Sequence, residues 1–288
     1  MNPNFFIVGA AKCGTTSMWQ YLKQHPKIFM CNPKEPTYFS EIITGARPFD
    51  KRKPTWKEYL GLFTSDNDEI IFGDASPGYL VDPSSAEKIH EKFPNSKILI
   101  FLRDPVKRAY SHFIGTRPGD PNKPPFNQQL EYESVNLDYM KFTFNDILIW
   151  GLYYEQVKRY LDTFGPDNVK VMIYEDIFPK NIDDGIREIL LFLGLDGKIH
   201  DYDPKVYAEY FVPNEKVLKI MRQSLIKNFS SKVIPRNIKE SIYVKLRGHD
   251  GKKPKILTSD EEFLKKFYKN DVLNLERLLK RDLPWKMD

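Results

Sequence analysis

The sequence predicts an α/β fold: a parallel sheet covered by helices on both faces, with a helical C-terminal part. Three observations carry that expectation. Four short apolar runs, Phe5 to Val8, Ile70 to Gly73, Lys97 to Leu102 and Val169 to Tyr174, alternate with stretches of helical periodicity. The first run leads straight into a turn bounded by Gly9 and Gly14 and a helix start at Thr15, so that strand, turn and helix form one anion-binding unit. The chain of 288 residues shows no internal repeat or low-complexity tract and reads as a single domain over 1–288 with a sizeable core.

Composition narrows the class. A hydrophobic content of 41% with 29% charged residues is that of a globular protein, and no segment reaches the apolar length of a membrane span. The net charge of +5 suits an anionic ligand and equally a solvated mixed surface. The two cysteines, Cys13 and Cys31, make neither a disulfide framework nor a zinc cluster, and read as free thiols of a reducing, cytoplasmic compartment. The first strand begins at Phe5, with no room ahead of it for a signal peptide. Cys13 stands at a helix N-terminus, which favours a lowered thiol pKa, but no base is visible beside it. His25, His90, His112, His200 and His249 show no ligand spacing, so no metal is expected.

In chain order, the first helix spans Thr15 to Gln24 and stops at His25-Pro26. Lys27 to Arg47 reads as loop, with Pro33 and Pro36 holding the backbone extended around Lys34-Glu35. Trp56 to Phe63 is a short helix, and the strand Ile70 to Gly73 ends in Asp74. Ser84 with Glu87 makes a capping box for a helix to Phe93. After the strand KILIFL comes Arg103, then Asp104 as cap with Pro105 at the first helical position. Gly115 to Pro125, with four prolines and two glycines, is expected to be a mobile loop. Phe144 to Phe164 has helical spacing and ends at Gly165-Pro166, its Tyr and Trp residues reading as core rather than ligand contacts. Ile182 to Leu193 is a helix closed by Gly194, and residues 200–250 read as helices broken at Pro213 and Pro235. The last helix, Ser259 to Lys280, has two candidate capping boxes, Thr258 with Glu261 and Ser259 with Glu262. In a parallel sheet the ligand sits at the carboxyl ends of the strands, which is where the Gly9–Gly14 loop, Asp74, Arg103 and Glu175 fall.

The loop itself says phosphate. Backbone N–H groups of the turn and the positive end of the helix dipole converge on one anion. Its spacing is close to a Walker A loop, yet Thr15 stands where that loop needs lysine, and Lys12 lies inside the turn. A lysine there reaches a different part of the anion, which argues against ATP.

Three separated motifs together resemble the sulfotransferases that use 3′-phosphoadenosine 5′-phosphosulfate (PAPS). GAAKCGTTS resembles the family's 5′-phosphosulfate loop, with Lys12 at its catalytic lysine and Cys13, Gly14, Thr15, Thr16 and Ser17 around the donor. FLRDPVKRAYSHF resembles its 3′-phosphate motif, with Arg103 at a strand end and Ser111 eight residues on. PKEPTYF resembles the segment that carries the catalytic glutamate in the heparan-sulfate-type and bacterial branches, which puts that role on Glu35. Weaker echoes are DASPGYL, Gly151 to Tyr153, Phe192 to Leu195 and the end near Trp285, so the likeness covers nearly the whole chain. It implies a P-loop nucleotide-kinase-like sheet, with Lys252 and Lys253 in a late basic loop near the 3′-phosphate. It also implies transfer of a sulfuryl group to an acceptor hydroxyl without a metal, leaving adenosine 3′,5′-bisphosphate.

Chemistry asks for the same parts. A donor with phosphates at two ends needs one cradle and one separate cationic site, and two strand ends of one sheet supply both. Its transition state is loose, so positioning and charge stabilisation dominate. The acceptor must also lose a proton, which a carboxylate can take.

Two other readings stay open at this stage. In a P-loop ATP-dependent kinase or NTPase, Asp74 would bind Mg²⁺ after its strand. A basic nucleic-acid-binding protein would account for the net charge, although the basic residues are dispersed and no recognition module is present. The favoured reading has a small-molecule or carbohydrate acceptor as partner, with no nucleic acid and no membrane. Oligomeric state is not legible.

Overall fold

The structure, a computed structural model, describes residues 1–42, 52–116, 123–139, 141–178, 180–198 and 255–288. Five parallel strands form one sheet in the order β2-β3-β1-β4-β5. They are β1 (Phe5–Gly9), β2 (Ile28–Met30), β3 (Ile71–Ala75), β4 (Lys97–Leu102) and β5 (Val169–Ile173). β1 lies in the middle, its residues buried, paired to β3 from Phe5↔Gly73 and to β4 from Phe5↔Lys97. The β1–β4 register shifts between Ile7 and Gly9, where the chain leaves the sheet for the glycine-bounded turn.

Strand β2 corrects the expectation of an unbroken loop from Lys27. Its three residues, Ile-Phe-Met, are too few to show a period of two, and they become a strand only by pairing with β3 (Ile28↔Ile71). β3 runs on through Asp74 to Ala75, so Asp74 is inside the strand rather than after it.

Among the described residues the helices are α1 (Thr15–Leu22), α2 (Trp56–Gly61), α3 (Gly78–Val81), α4 (Ser85–Lys92), α5 (Pro105–Gly115), α6 (Phe126–Val135), α7 (Tyr153–Phe164), α8 (Tyr174–Ile177), α9 (Ile182–Phe192) and α10 (Thr258–Leu279). The start of α5 is as expected: Asp104 accepts from the N–H groups of Val106 and Lys107, with Pro105 in the first turn. The capping boxes proposed for α4 and α10 do not form. Ser84 is already helical, and its N–H and hydroxyl both turn back to Asp82 Oδ1, while α10 is preceded by Leu257 with no side-chain cap. A full box occurs instead at α2, between Thr55 and Glu58. The helix expected from Phe144 begins only at Tyr153, after a single 3₁₀ turn at Ile149–Gly151. The last helix lays Leu264, Tyr268, Val272 and Leu275 on the core, and the Tyr268 hydroxyl donates to the Leu148 carbonyl. Trp150, Tyr153 and Tyr160 are buried core residues, as expected. The Gly115–Pro125 and 200–250 expectations fall mostly or wholly outside the described residues. No described helix is long and apolar enough to cross a membrane.

Candidate functional site

The turn after β1 is built for an anion. The Ala10 N–H donates to the Phe101 carbonyl of β4, and the Cys13 N–H closes a tight turn on the Ala10 carbonyl. Gly14 then sits at φ 90 as the cap of α1, a left-handed conformation that a side chain resists; a Cβ there would also lie 2.8 Å from the Phe178 ring. No side chain caps α1, so its first-turn N–H groups keep their donor capacity for a ligand. Thr15 and Ser17 are buried and Thr16 is exposed.

Lys12 has φ 70 and Glu35 φ 63, both left-handed without being glycine. Such backbone strain is held in place only when the surroundings over-determine it, and it concentrates at functional sites. The Lys12 ammonium lies against Gly115, where a Cβ would come within 2.6 Å of it, at the C-terminal turn of α5. That places it one turn beyond Ser111, which is buried on the same helix.

Arg103, at the end of β4, joins the two anion motifs. Its Nη1 donates to the Lys12 carbonyl at 3.4 Å, and its guanidinium lies 4.5 Å above the Tyr174 ring. The Tyr153 hydroxyl donates to its carbonyl oxygen at 3.0 Å. Its Nε is buried with no hydrogen-bond partner among the described residues, a donor whose natural complement is an anion.

Glu35 approaches from the other side of β1. Its segment follows β2 and is tied to the end of β3 by the Thr37 N–H, which donates to Ser76 Oγ at 3.3 Å. The Lys34 ammonium pairs with the Glu35 carboxylate, and the Glu35 side chain keeps 27% of its surface exposed, so it can meet a substrate. Thus the sheet sets Arg103 on one flank of the loop and Glu35 on the other. Lys252 and Lys253 lie outside the described residues.

Three residues behave differently from expectation. Cys13 is buried, and burial pushes its thiol up to about 11, outweighing the positive charges of Arg108 and Arg103; it is not an activated thiol. Burial also raises Cys31. Native protein at pH 7.5 is therefore expected to react with a disulfide reagent at neither thiol, and at both after unfolding. One equivalent of fast-reacting thiol in the folded protein would contradict the burial argument. Asp74 does not present an open carboxylate to a cation, because both oxygens are buried and take hydroxyl donors from Ser76, Tyr59 and Tyr79. Glu175 is at the expected edge but serves as a tie, accepting from the Asp104 N–H at 3.2 Å and from Trp285 Nε1 at 3.0 Å.

Sequence reading missed an aromatic wall and a buried cation. Tyr174 and Phe178 stack at 4.8 Å between ring centroids and face Gly14, with Tyr174 also under Arg103. The signal was available, since Tyr174 follows β5 directly at the ligand edge. Arg108 is fully buried, donating to the Ile147 carbonyl at 2.5 Å and meeting His112 Nδ1 at 3.0 Å. Burial, with the charges of Arg108 and Lys12, holds His112 well below the usual histidine range, hence neutral. Its ring packs against Phe144 and Trp150.

Comparison with known proteins bears on this arrangement. The family model described as "Sulfotransferase domain" matches residues 2–275. A crystal structure of a sulfotransferase from Alicyclobacillus acidocaldarius is 29% identical and superposes with a TM-score of 0.74, covering 98% of each chain. Rat carbohydrate sulfotransferase 15 is 25% identical over 67% of this chain and 44% of its own length. Mouse heparan sulfate glucosamine 3-O-sulfotransferase 6 is 32% identical over 43% of this chain and 33% of its own length. The chain thus spans less than half the length of these two relatives.

Proposed function

The chain belongs to the sulfotransferase-domain family, and from that premise we propose that it moves a sulfuryl group from PAPS to an acceptor hydroxyl within one domain over 1–288. The observation that carries this reading is the junction of two anion motifs 91 residues apart, where Arg103 meets the Lys12 carbonyl and keeps a buried donor for a second phosphate. The residues fit the donor at both ends. The α1 N-terminus, with Gly14, Thr15, Thr16 and Ser17, holds the 5′ end, and Arg103 with Ser111 holds the 3′-phosphate, assisted by Lys252 and Lys253. Cys13 contributes backbone to the cradle rather than a thiolate.

PAPS supplies the transferable group. Lys12 and the loop N–H groups stabilise the negative charge that grows on the phosphate side, a preorganised electrostatic role that needs no metal. Glu35 takes the proton of the acceptor hydroxyl. Two relatives whose names carry carbohydrate acceptors make saccharide alcohols the first class to screen. A cytoplasmic setting fits the two free thiols. Neither nucleic acid nor membrane is a partner in this reading.

Ligand binding tests the donor site. Adenosine 3′,5′-bisphosphate at about 100 times its Kd adds about 2.7 kcal/mol of stability, a rise of roughly 5–10 °C in Tm. ATP with Mg²⁺ is expected to give much less, and the reverse order would favour a kinase. Arg103→Ala is expected to weaken the bisphosphate roughly 10- to 100-fold and AMP much less, since only the bisphosphate loses bonds to a 3′-phosphate, while loss of the contact to the Lys12 carbonyl is common to both ligands. Equal losses for the two ligands in calorimetry would assign Arg103 elsewhere.

A further inference from the structure

Asp74 is a fully buried carboxylate that the proposed reaction does not use. Its Oδ1 accepts from Ser76 Oγ at 2.6 Å, and its Oδ2 accepts from the Tyr59 and Tyr79 hydroxyls, each at 2.9 Å. Each of these donors in turn meets one of three consecutive residues just after Glu35. The Thr37 N–H donates to Ser76 Oγ, the Tyr38 ring stacks on Tyr59 at 4.8 Å, and the Phe39 N–H faces the Tyr79 hydroxyl at 3.5 Å, a long contact. We propose that Asp74 is a positioning residue: through Ser76, Tyr59 and Tyr79 it fixes Thr37, Tyr38 and Phe39, and so holds the Glu35 carboxylate at the sheet edge beside the anion loop. This rests on the reading of Glu35 as the base.

The physical argument is one of direction. A hydroxyl has one hydrogen, so a serine or tyrosine that donates to Asp74 must turn its lone pairs outward, where an incoming backbone N–H can use them. An ionised carboxylate only accepts and therefore fixes all three hydroxyls the same way. Burial raises the Asp74 carboxyl to about 6, against the opposing pull of the three hydroxyls and of Lys34, so the group is mainly ionised at neutral pH. Lys34 connects the two carboxylates, since its ammonium pairs with Glu35 and its charge acts on Asp74. A buried carboxylate costs desolvation and is weak evidence for stability. Organisation of the neighbouring segment accounts for its presence better. Asp82 secures only the later part of that segment, accepting from Ser40 Oγ and the Glu41 N–H.

The test uses the full chain with adenosine 3′,5′-bisphosphate bound, and two variants that spare the carboxylate itself, Ser76→Ala and Tyr79→Phe. Amide hydrogen exchange is read along residues 31–42, and turnover is read with labelled PAPS on heparosan and chondroitin oligosaccharides, glycerol and p-nitrophenol. Ser76→Ala is expected to speed exchange at Thr37 by about tenfold or more, as loss of a buried bond allows, and Tyr79→Phe to do so at Phe39 to a lesser extent. Exchange in β1 and β4 and the bisphosphate Kd stay as in wild type. On the acceptor that wild type sulfates fastest, kcat falls about tenfold with the donor KM unchanged, and Ser76→Ala adds almost nothing in a Glu35→Gln background. Unchanged exchange at Thr37, or the same tenfold loss on top of Glu35→Gln, would overturn the proposal. If Glu35→Gln alone leaves turnover at wild-type level, the base assignment fails, and the exchange result still decides whether the Asp74 cluster holds the segment.

Discussion

Glu35→Gln is expected to lower turnover by roughly 10²- to 10⁴-fold, the usual worth of a general base, while adenosine 3′,5′-bisphosphate binds with near wild-type affinity. The substitution keeps size, polarity and the left-handed backbone that Glu35 already occupies at φ 63, and removes the ability to take a proton together with the charge that pairs with Lys34. The donor residues are spared as well, because Arg103 and the loop after β1 are held from β4 while Glu35 is held from β3. Binding and turnover must therefore separate in this variant. Single-turnover kinetics with bisphosphate calorimetry in parallel reads both. A variant that keeps most of its turnover would remove Glu35 from the chemistry. The proton could not then be assigned to His112, which is buried and held neutral with its Nδ1 against Arg108, without a change in structure that exposes it.

Lys12→Ala is expected to reduce kcat by about 10²- to 10³-fold, the range found when one preorganised donor to a developing charge is removed, with a much smaller effect on donor binding. The backbone strain at φ 70 does not confuse the comparison, since any residue with a Cβ carries it and alanine keeps the Cβ of lysine. The side chain packs against Gly115 in the C-terminal turn of α5, and Lys12 precedes the helix start at which ATP-binding loops carry their lysine. Interactions made mainly in the transition state show in kcat, and those made equally in the ground state show in KM. A rise in donor KM with kcat unchanged would make Lys12 a binding residue only. Wild-type turnover is expected to survive a chelator.

The parts of this protein that are local in sequence were legible from it, and the parts that depend on tertiary pairing were not. The β1–turn–α1 unit and the Asp104-Pro105 helix start rest on neighbouring residues, and both appear at their expected positions. β2 exists only because β3 lies beside it, and the α4 cap fails because Asp82 captures Ser84 first. Cys13 shows the same limit in the site: a helix N-terminus lowers a thiol pKa, but complete burial dominates and raises it. Arg103 was legible as a strand-end cation, yet its meeting with the Lys12 carbonyl and the Tyr174 ring could be seen only in three dimensions. The kinase reading could lend Asp74 a Mg²⁺ role because sequence does not show that Tyr59 and Tyr79, from two different helices, converge on it.

Sulfuryl transfer itself is the claim on which everything else depends, and one measurement meets it directly. The full chain is incubated with PAPS carrying ³⁵S and with a panel of saccharide alcohols, in the presence of a chelator, and the label is followed alongside adenosine 3′,5′-bisphosphate. The predicted result is that label moves from PAPS to an acceptor hydroxyl in a one-to-one ratio with the bisphosphate released, and that Lys12→Ala and Glu35→Gln abolish most of this transfer. Label retained on PAPS with no bisphosphate binding, together with Mg²⁺-dependent transfer of phosphate from ATP to the same acceptors, would contradict it.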